Sequence, residues 1–161
     1  QGDGILLALR REGNTWYKGS GTPMTPDDVI NHINKIIDGG FSGDSASEDA
    51  ALIEPLIRAD PAIAHLVPEG LPDLRVICLH NTPLMAMLRL PTLESDGKAN
   101  LHQGAVGAGV DMGCGVTLGG VLNDEVVEEH PDTGALVAGL QIPQWEFILE
   151  TSAKGLEVTG L

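Results

Sequence analysis

One stretch of the chain gathers the side chains best suited to chemistry: Arg89-Leu90-Pro91-Thr92-Leu93-Glu94-Ser95-Asp96-Gly97-Lys98-Ala99-Asn100-Leu101-His102-Gln103-Gly104. Arg, Lys, Asn, His and Gln all donate hydrogen bonds, and here they sit together in a chain poor in positive charge. An arginine such as Arg89 offers phosphate a two-pronged fork, and a lysine such as Lys98 offers it a point charge. Asn100 can orient a phosphate, a water or a metal ligand, and His102 can donate, accept or bind metal. An ordered surface loop that satisfies its own backbone accounts for the same composition equally well.

Weaker signals lie elsewhere. Asp73 and Arg75 alternate with Leu74 and Val76, so a strand would place both on one face, as an ion pair or with Arg75 turned to an anionic substrate. Gly2-Asp3-Gly4 precedes an apolar run and reads either as a simple turn or as a loop exposing amides to phosphate. Neither the Walker spacing nor the dinucleotide fingerprint is present. The five histidines lack metal-ligand spacing, and the two cysteines, Cys78 and Cys114, form neither a disulfide framework nor a thiolate site. A reducing, cytoplasmic setting follows as the default reading.

The balance of 23 Asp+Glu against 9 Lys+Arg gives a net charge of -14, which argues against nucleic acid held by its phosphates. Small anions need only a few local cations and stay open. No apolar run is long enough for a membrane helix. Self-association is left open. Glycine appears 21 times and aromatic residues make up 3%, which points to tight turns and close backbone approach.

The elements that must hold these residues follow from pattern. Gly4–Arg11 reads as a strand, Glu12-Gly13-Asn14 as a turn and Thr15–Lys18 as its partner. Thr25 caps a helix whose first turn holds Pro26, Asp27 and Asp28; Val29, Ile30, Ile33, Ile36 and Ile37 recur along it, and Gly39-Gly40 ends it. Ala50–Ile57 suggests a short strand and Asp60–Leu66 a short helix. Strands at 74–79 and 84–90 flank a hairpin connection, and a second pair at 105–111 and 116–122 surrounds Met112-Gly113-Cys114-Gly115. A last helix starts near Pro143. Because no crossover helices separate these strands, an α+β fold with a mainly antiparallel sheet and flanking helices is expected.

The segment from Arg89 through Ser95-Asp96-Gly97-Lys98-Ala99-Asn100-Leu101-His102-Gln103-Gly104 resembles ATP-grasp ligases, most closely the alpha-L-glutamate ligase-related group. Gly2-Asp3-Gly4-Ile5 looks like the end of their glycine-rich loop, and Glu54-Pro55-Leu56-Ile57 like their adenine-contacting hinge. Asp73-Leu74-Arg75-Val76, His130-Pro131-Asp132-Thr133-Gly134 and Pro143-Gln144-Trp145 are also similar to that group. The resemblance implies two lobes clamping ATP: residues 1–57 in the small lobe and 58–161 in the large lobe, incomplete before the metal-binding segment.

It further implies ATP and Mg²⁺ as cofactors, and a carboxylate and an amine, small or peptidic, joined through an acylphosphate. Arg89 and Asn100 would act at the phosphates, with Arg75 positioning the acidic substrate. Gly2, Asp3, Gly4, Ile5, Lys98 and His102 would lie along the nucleotide, as would the hinge residues Glu54, Leu56 and Ile57. Asn100 is the implied metal contact, with the main carboxylate ligands expected beyond Leu161. The family's lysine strand is expected before Gln1, so the isolated chain is expected to be inactive. The alternative is a non-catalytic binding or assembly module built on the same fold, which the complete reading frame would distinguish.

Overall fold

The computed structural model describes residues 4–41 and 49–159. Near the start, β1 (Arg10–Glu12), β2 (Thr15–Tyr17) and β3 (Pro23–Met24) form a small antiparallel meander. Arg10 lies over the Tyr17 ring and Arg11 over the Trp16 ring, each arginine paired in register with the aromatic it covers. Helix α1 (Pro26–Ile37) follows. Its capping box is complete: the Thr25 hydroxyl accepts from the Asp28 amide at 3.2 Å, and Asp28 accepts from the Thr25 amide at 2.8 Å. Helix α2 (Pro61–Ala64) is a single turn capped by Asp60.

The larger sheet is an antiparallel meander of β4 (Asp73–Leu79), β5 (Thr82–Leu90), β6 (Val106–Val110), β7 (Thr117–Leu122) and β8 (Glu125–Val127). Two of its connections are two-residue turns with positive φ at both residues, His80-Asn81 and Asn123-Asp124, the geometry that matches the twist of hairpin strands. Pro83 pairs with Cys78 next to a register shift, where a missing amide costs the ladder little.

Alternation sorts the two faces of this sheet. Ala86, Leu88 and Leu90 of β5 and Val106, Ala108 and Val110 of β6 point into the core. There they join Leu66, Val137, Ile142 and Trp145, and helix α3 (Trp145–Thr159) lies over β4 and β5. Trp145 rests directly on Gly115, where an added Cβ would come within 2.4 Å of the ring, and its indole donates to the Met112 carbonyl at 3.1 Å.

Two expected strands differ. Of Gly4–Arg11 only Arg10 onward pairs, with a single further bond from the Leu9 amide to Tyr17; the apolar run before it has no partner strand among the described residues. Ala50–Ile57 is not a strand: Leu52 and Ile53 are exposed and no ladder forms. β3 and β8 are short strands made by pairing with their neighbours rather than by propensity.

Candidate functional site

The second face of the large sheet is open. Cross-strand register sets Asp73, Arg89, Gly107 and Val121 in one row and Arg75, Met87 and Gly109 in the next. Strand β6 thus reads Val-Gly-Ala-Gly-Val, with its larger residues in the core and only glycines on the open face. Interior-strand glycine weakens a sheet and commonly marks close approach of a ligand or another backbone. A cavity of about 470 Å³ lies on this face, lined by Met87, Leu101, His102, Ala105, Gly107, Gly109, Val121, Asn123 and Asp124. At its edge Arg89 is held by Asp73 through both prongs, Nε to Oδ1 at 2.6 Å and Nη2 to Oδ2 at 2.5 Å. Both side chains are partly exposed, so the pair orients Arg89 more than it stabilises the fold. The remaining guanidinium donors are left for other groups.

The segment from Pro91 to Gly104 is an internally braced structure. Thr92 and Ser95 are buried and exchange bonds: the Thr92 amide donates to Ser95 Oγ at 2.9 Å and the Ser95 amide to Thr92 Oγ1 at 3.0 Å. The Thr92 hydroxyl donates to the Gly104 carbonyl at 2.7 Å, closing the loop on itself. The turn His130–Gly134 clasps it from outside. His130, 1% exposed, donates from Nε2 to the Pro91 carbonyl at 2.9 Å, and its Nδ1 accepts from the Asp132 amide at 3.3 Å. Asp132 in turn accepts from the Leu93 amide at 2.8 Å.

The same loop is tied to the small sheet. Asp96 accepts from the Ser20 hydroxyl at 2.7 Å and the Ser20 amide at 3.1 Å, and lies 3.5 Å from the Lys18 ammonium. Partial burial alone would raise the Asp96 pKa; the bonds from Ser20 and the charge of Lys18 outweigh it and hold the carboxyl below its usual range. Beneath this contact three glycines meet. A Cβ on Gly70 would fall 2.2 Å from the Gly97 carbonyl oxygen, and one on Gly19 would fall 2.7 Å from the Gly97 Cα. The small sheet, the chain after α2 and the candidate loop therefore touch backbone to backbone.

Against the expected site residues, the structure brings one group together. Arg89, Arg75 and His102 share the open face or its cavity. Asn100 caps the 3₁₀ turn Leu101–Gln103 that carries His102, its Oδ1 accepting from the His102 amide at 3.2 Å. Lys98 follows directly on the three-glycine contact, its amide donating to Ser95. Arg75 is exposed and is not the partner of Asp73, which pairs with Arg89. Gly4 lies against α1, its carbonyl accepting from His32 at 3.1 Å, and Ile5 is exposed. Glu54, Leu56 and Ile57 are exposed in irregular chain. Gly2 and Asp3 lie outside the described residues. Sequence reasoning misses Asp96, Asp132, Asn123 and Asp124; the alternating glycines of β6 are the one sequence signal that marks the face.

The profile of the family described as sugar-transfer associated ATP-grasp matches residues 1–161, and the chain belongs to that family. No curated protein and no solved structure matches it. The superfamily is that of the sequence resemblance, while the narrower likeness to glutamate ligases has no counterpart in the match. Membership supports an ATP-dependent, ligase-type catalytic role. A glycine-bearing strand beside Arg89 and Arg75 fits the phosphates of a nucleotide. For Mg²⁺ the described residues provide no group of three His, Cys, Asp or Glu side chains. No helix among them is long and apolar enough to cross a membrane.

Proposed function

We infer that this chain is the nucleotide-clamping part of an ATP-dependent ligase that joins a carboxylate to an amine. The observation that carries the reading is Arg89, fixed in a two-pronged bond to Asp73 on an open, glycine-floored face, in a chain of the ATP-grasp family. Bound ATP would supply the phosphoryl group that activates the carboxylate as an acylphosphate. The chain's own residues then do electrostatic and positional work. Arg89, aimed by Asp73, neutralises phosphate oxygens without having to find its orientation. Lys98 adds charge from the middle of the braced loop, and Asn100 sets the 3₁₀ turn that presents His102. Arg75 lies one row away, where an acidic substrate would meet it. Residues 1–57 serve as the smaller jaw, with the Asp96 contact setting its approach to the loop.

The test is titration of Mg-ATP into the protein, with ADP release measured in the presence of carboxylate and amine. Arg89→Lys keeps the charge and loses the fork, and should weaken Mg-ATP binding about 10-fold, equivalent to about 1.4 kcal/mol. Unchanged affinity in both Arg89→Lys and Asn100→Ala would refute the assignment.

A further inference from the structure

The smaller jaw and the large sheet do not share a core. The cluster buried against the large sheet, with the side chains packed on it, begins at Ile63 and takes nothing from β1, β2, β3 or α1. Met24, buried in the jaw opposite Trp16, lies outside that cluster. The jaw meets the braced loop instead, through a contact of two kinds. Gly19 of the jaw, Gly70 after α2 and Gly97 of the loop bring backbone against backbone, with Leu7 laid on Gly97. At the rim, Asp96 accepts from the Ser20 hydroxyl and amide and faces the Lys18 ammonium. Bare backbone surfaces part without unpacking a core, so the rim bonds decide whether the two sides stay together. We propose that Ser20 and Asp96 form a latch that couples closure of the jaw to placement of Lys98, with Asp96 as the positioning residue.

The latch rests on the ligase reading for the role of Lys98, and on the contact itself for its mechanics. Asp96 sits at φ 56° with its amide on the Leu93 carbonyl at 3.2 Å, and the Gly97 amide donates to the Thr92 carbonyl at 3.2 Å. Lys98 comes next, its amide on the Ser95 carbonyl at 3.1 Å. A shift of the Asp96 carboxylate is therefore carried through this braced turn to Lys98. On the jaw side, Ser20 lies in the turn that joins β2 to β3, closed by the Gly21 amide on the Lys18 carbonyl and the Lys18 amide on the Thr22 carbonyl, each at 3.0 Å. Its hydroxyl gives its proton to Asp96 and so accepts from Thr22 Oγ1, 2.9 Å away. The turn thus moves with β2 as a unit. The latch bonds are exposed, so opening them strands no buried polar group. Latched and open states then lie close in free energy, and a nucleotide that prefers the closed jaw shifts their balance.

Double electron–electron resonance reads the jaw without nucleotide. Cys78→Ser leaves the exposed Cys114 for one spin label, and Asn14→Cys at the β1–β2 turn takes the other. The label distance should form one narrow distribution in that background. Ser20→Ala and Asp96→Gly should each broaden it; glycine accepts the positive φ at 96, so the loop backbone is kept. Asp96→Asn should restore the narrow distribution, because its amide oxygen still accepts from Ser20. Amide hydrogen exchange at Gly97 and Lys98 should rise about 10-fold in Ser20→Ala and Asp96→Gly, the scale of one charge-assisted bond, with exchange in β5 and β6 unchanged. A general loss of stability would speed both regions. An unchanged distance distribution in Ser20→Ala and Asp96→Gly, or unchanged exchange at Lys98 beside a broadened jaw, overturns the proposal. Mg-ATP titrated into the unaltered protein tests the ligase reading separately. Where it binds, Asp96→Gly should bind about 10-fold more weakly and Asp96→Asn nearly as well as wild type. Where it does not, the ligase reading fails, and the resonance and exchange data still decide the latch.

Discussion

Gly70→Ala is the sharpest test of how the candidate loop is held. Gly70 has φ +98°, and its new Cβ would lie 2.2 Å from the Gly97 carbonyl oxygen and 2.8 Å from the Gly97 Cα. Gly21 supplies the control: its φ is +81°, with nothing within 4 Å of an added Cβ. Both substitutions carry the conformational cost of a side chain at positive φ, about 1 kcal/mol. Only Gly70→Ala adds overpacking against backbone, which contributes about 2 kcal/mol more. Urea unfolding with linear extrapolation should therefore show losses of about 1 kcal/mol for Gly21→Ala and about 3 kcal/mol for Gly70→Ala, at similar m-values. In a chain of this size the second corresponds to a fall in Tm of about 9 °C. Because Gly97 precedes Lys98, Gly70→Ala should also weaken Mg-ATP binding, while Gly21→Ala should not. Equal stability losses within about 0.5 kcal/mol would refute the backbone-contact argument.

Two further outcomes follow from the bracing of the same loop. The Asp96 carboxyl is held below its ordinary value of 3.8, so its contribution is present in full above that value and is lost as pH falls through the lower folded pKa. Wild type should be more stable than Asp96→Asn at pH 7, with the gap closing below about pH 4 in acid titration by circular dichroism; a gap that persists in acid would count against the Ser20 and Lys18 contacts. His130→Ala removes a buried ring and leaves the Pro91 carbonyl without its donor, at a cost of about 3 kcal/mol in chemical denaturation. A loss under about 1 kcal/mol would mean that the turn does not clasp the loop.

Local chemistry is legible in the order of residues alone. The capping box at Thr25 and Asp28, the start of α1 at Pro26 and the hairpin strands at 74–79 and 84–90 are written in spacing that neighbours in the chain can satisfy. The importance of Arg89–Gly104 is visible as a concentration of donors in an acidic chain, although the same composition suits a surface loop. Ala50–Ile57 shows the opposite case. Its residue types favour a strand, but pairing needs a partner, and the fold provides none among the described residues.

The sequence by itself determined which residues can carry charge, turn the chain and alternate across a strand, because those properties belong to single residues and near neighbours. Only the tertiary structure decided what they do. Cross-strand register, not spacing, paired Asp73 with Arg89 and left Arg75 exposed on the same face. Gly19 and Gly70 are far apart in the chain, yet a side chain on either would run into the backbone of Gly97. The glycines of β6 became a cavity floor when β5 and β7 aligned on either side. Such contacts depend on the path of the whole backbone, which local patterns constrain but do not specify.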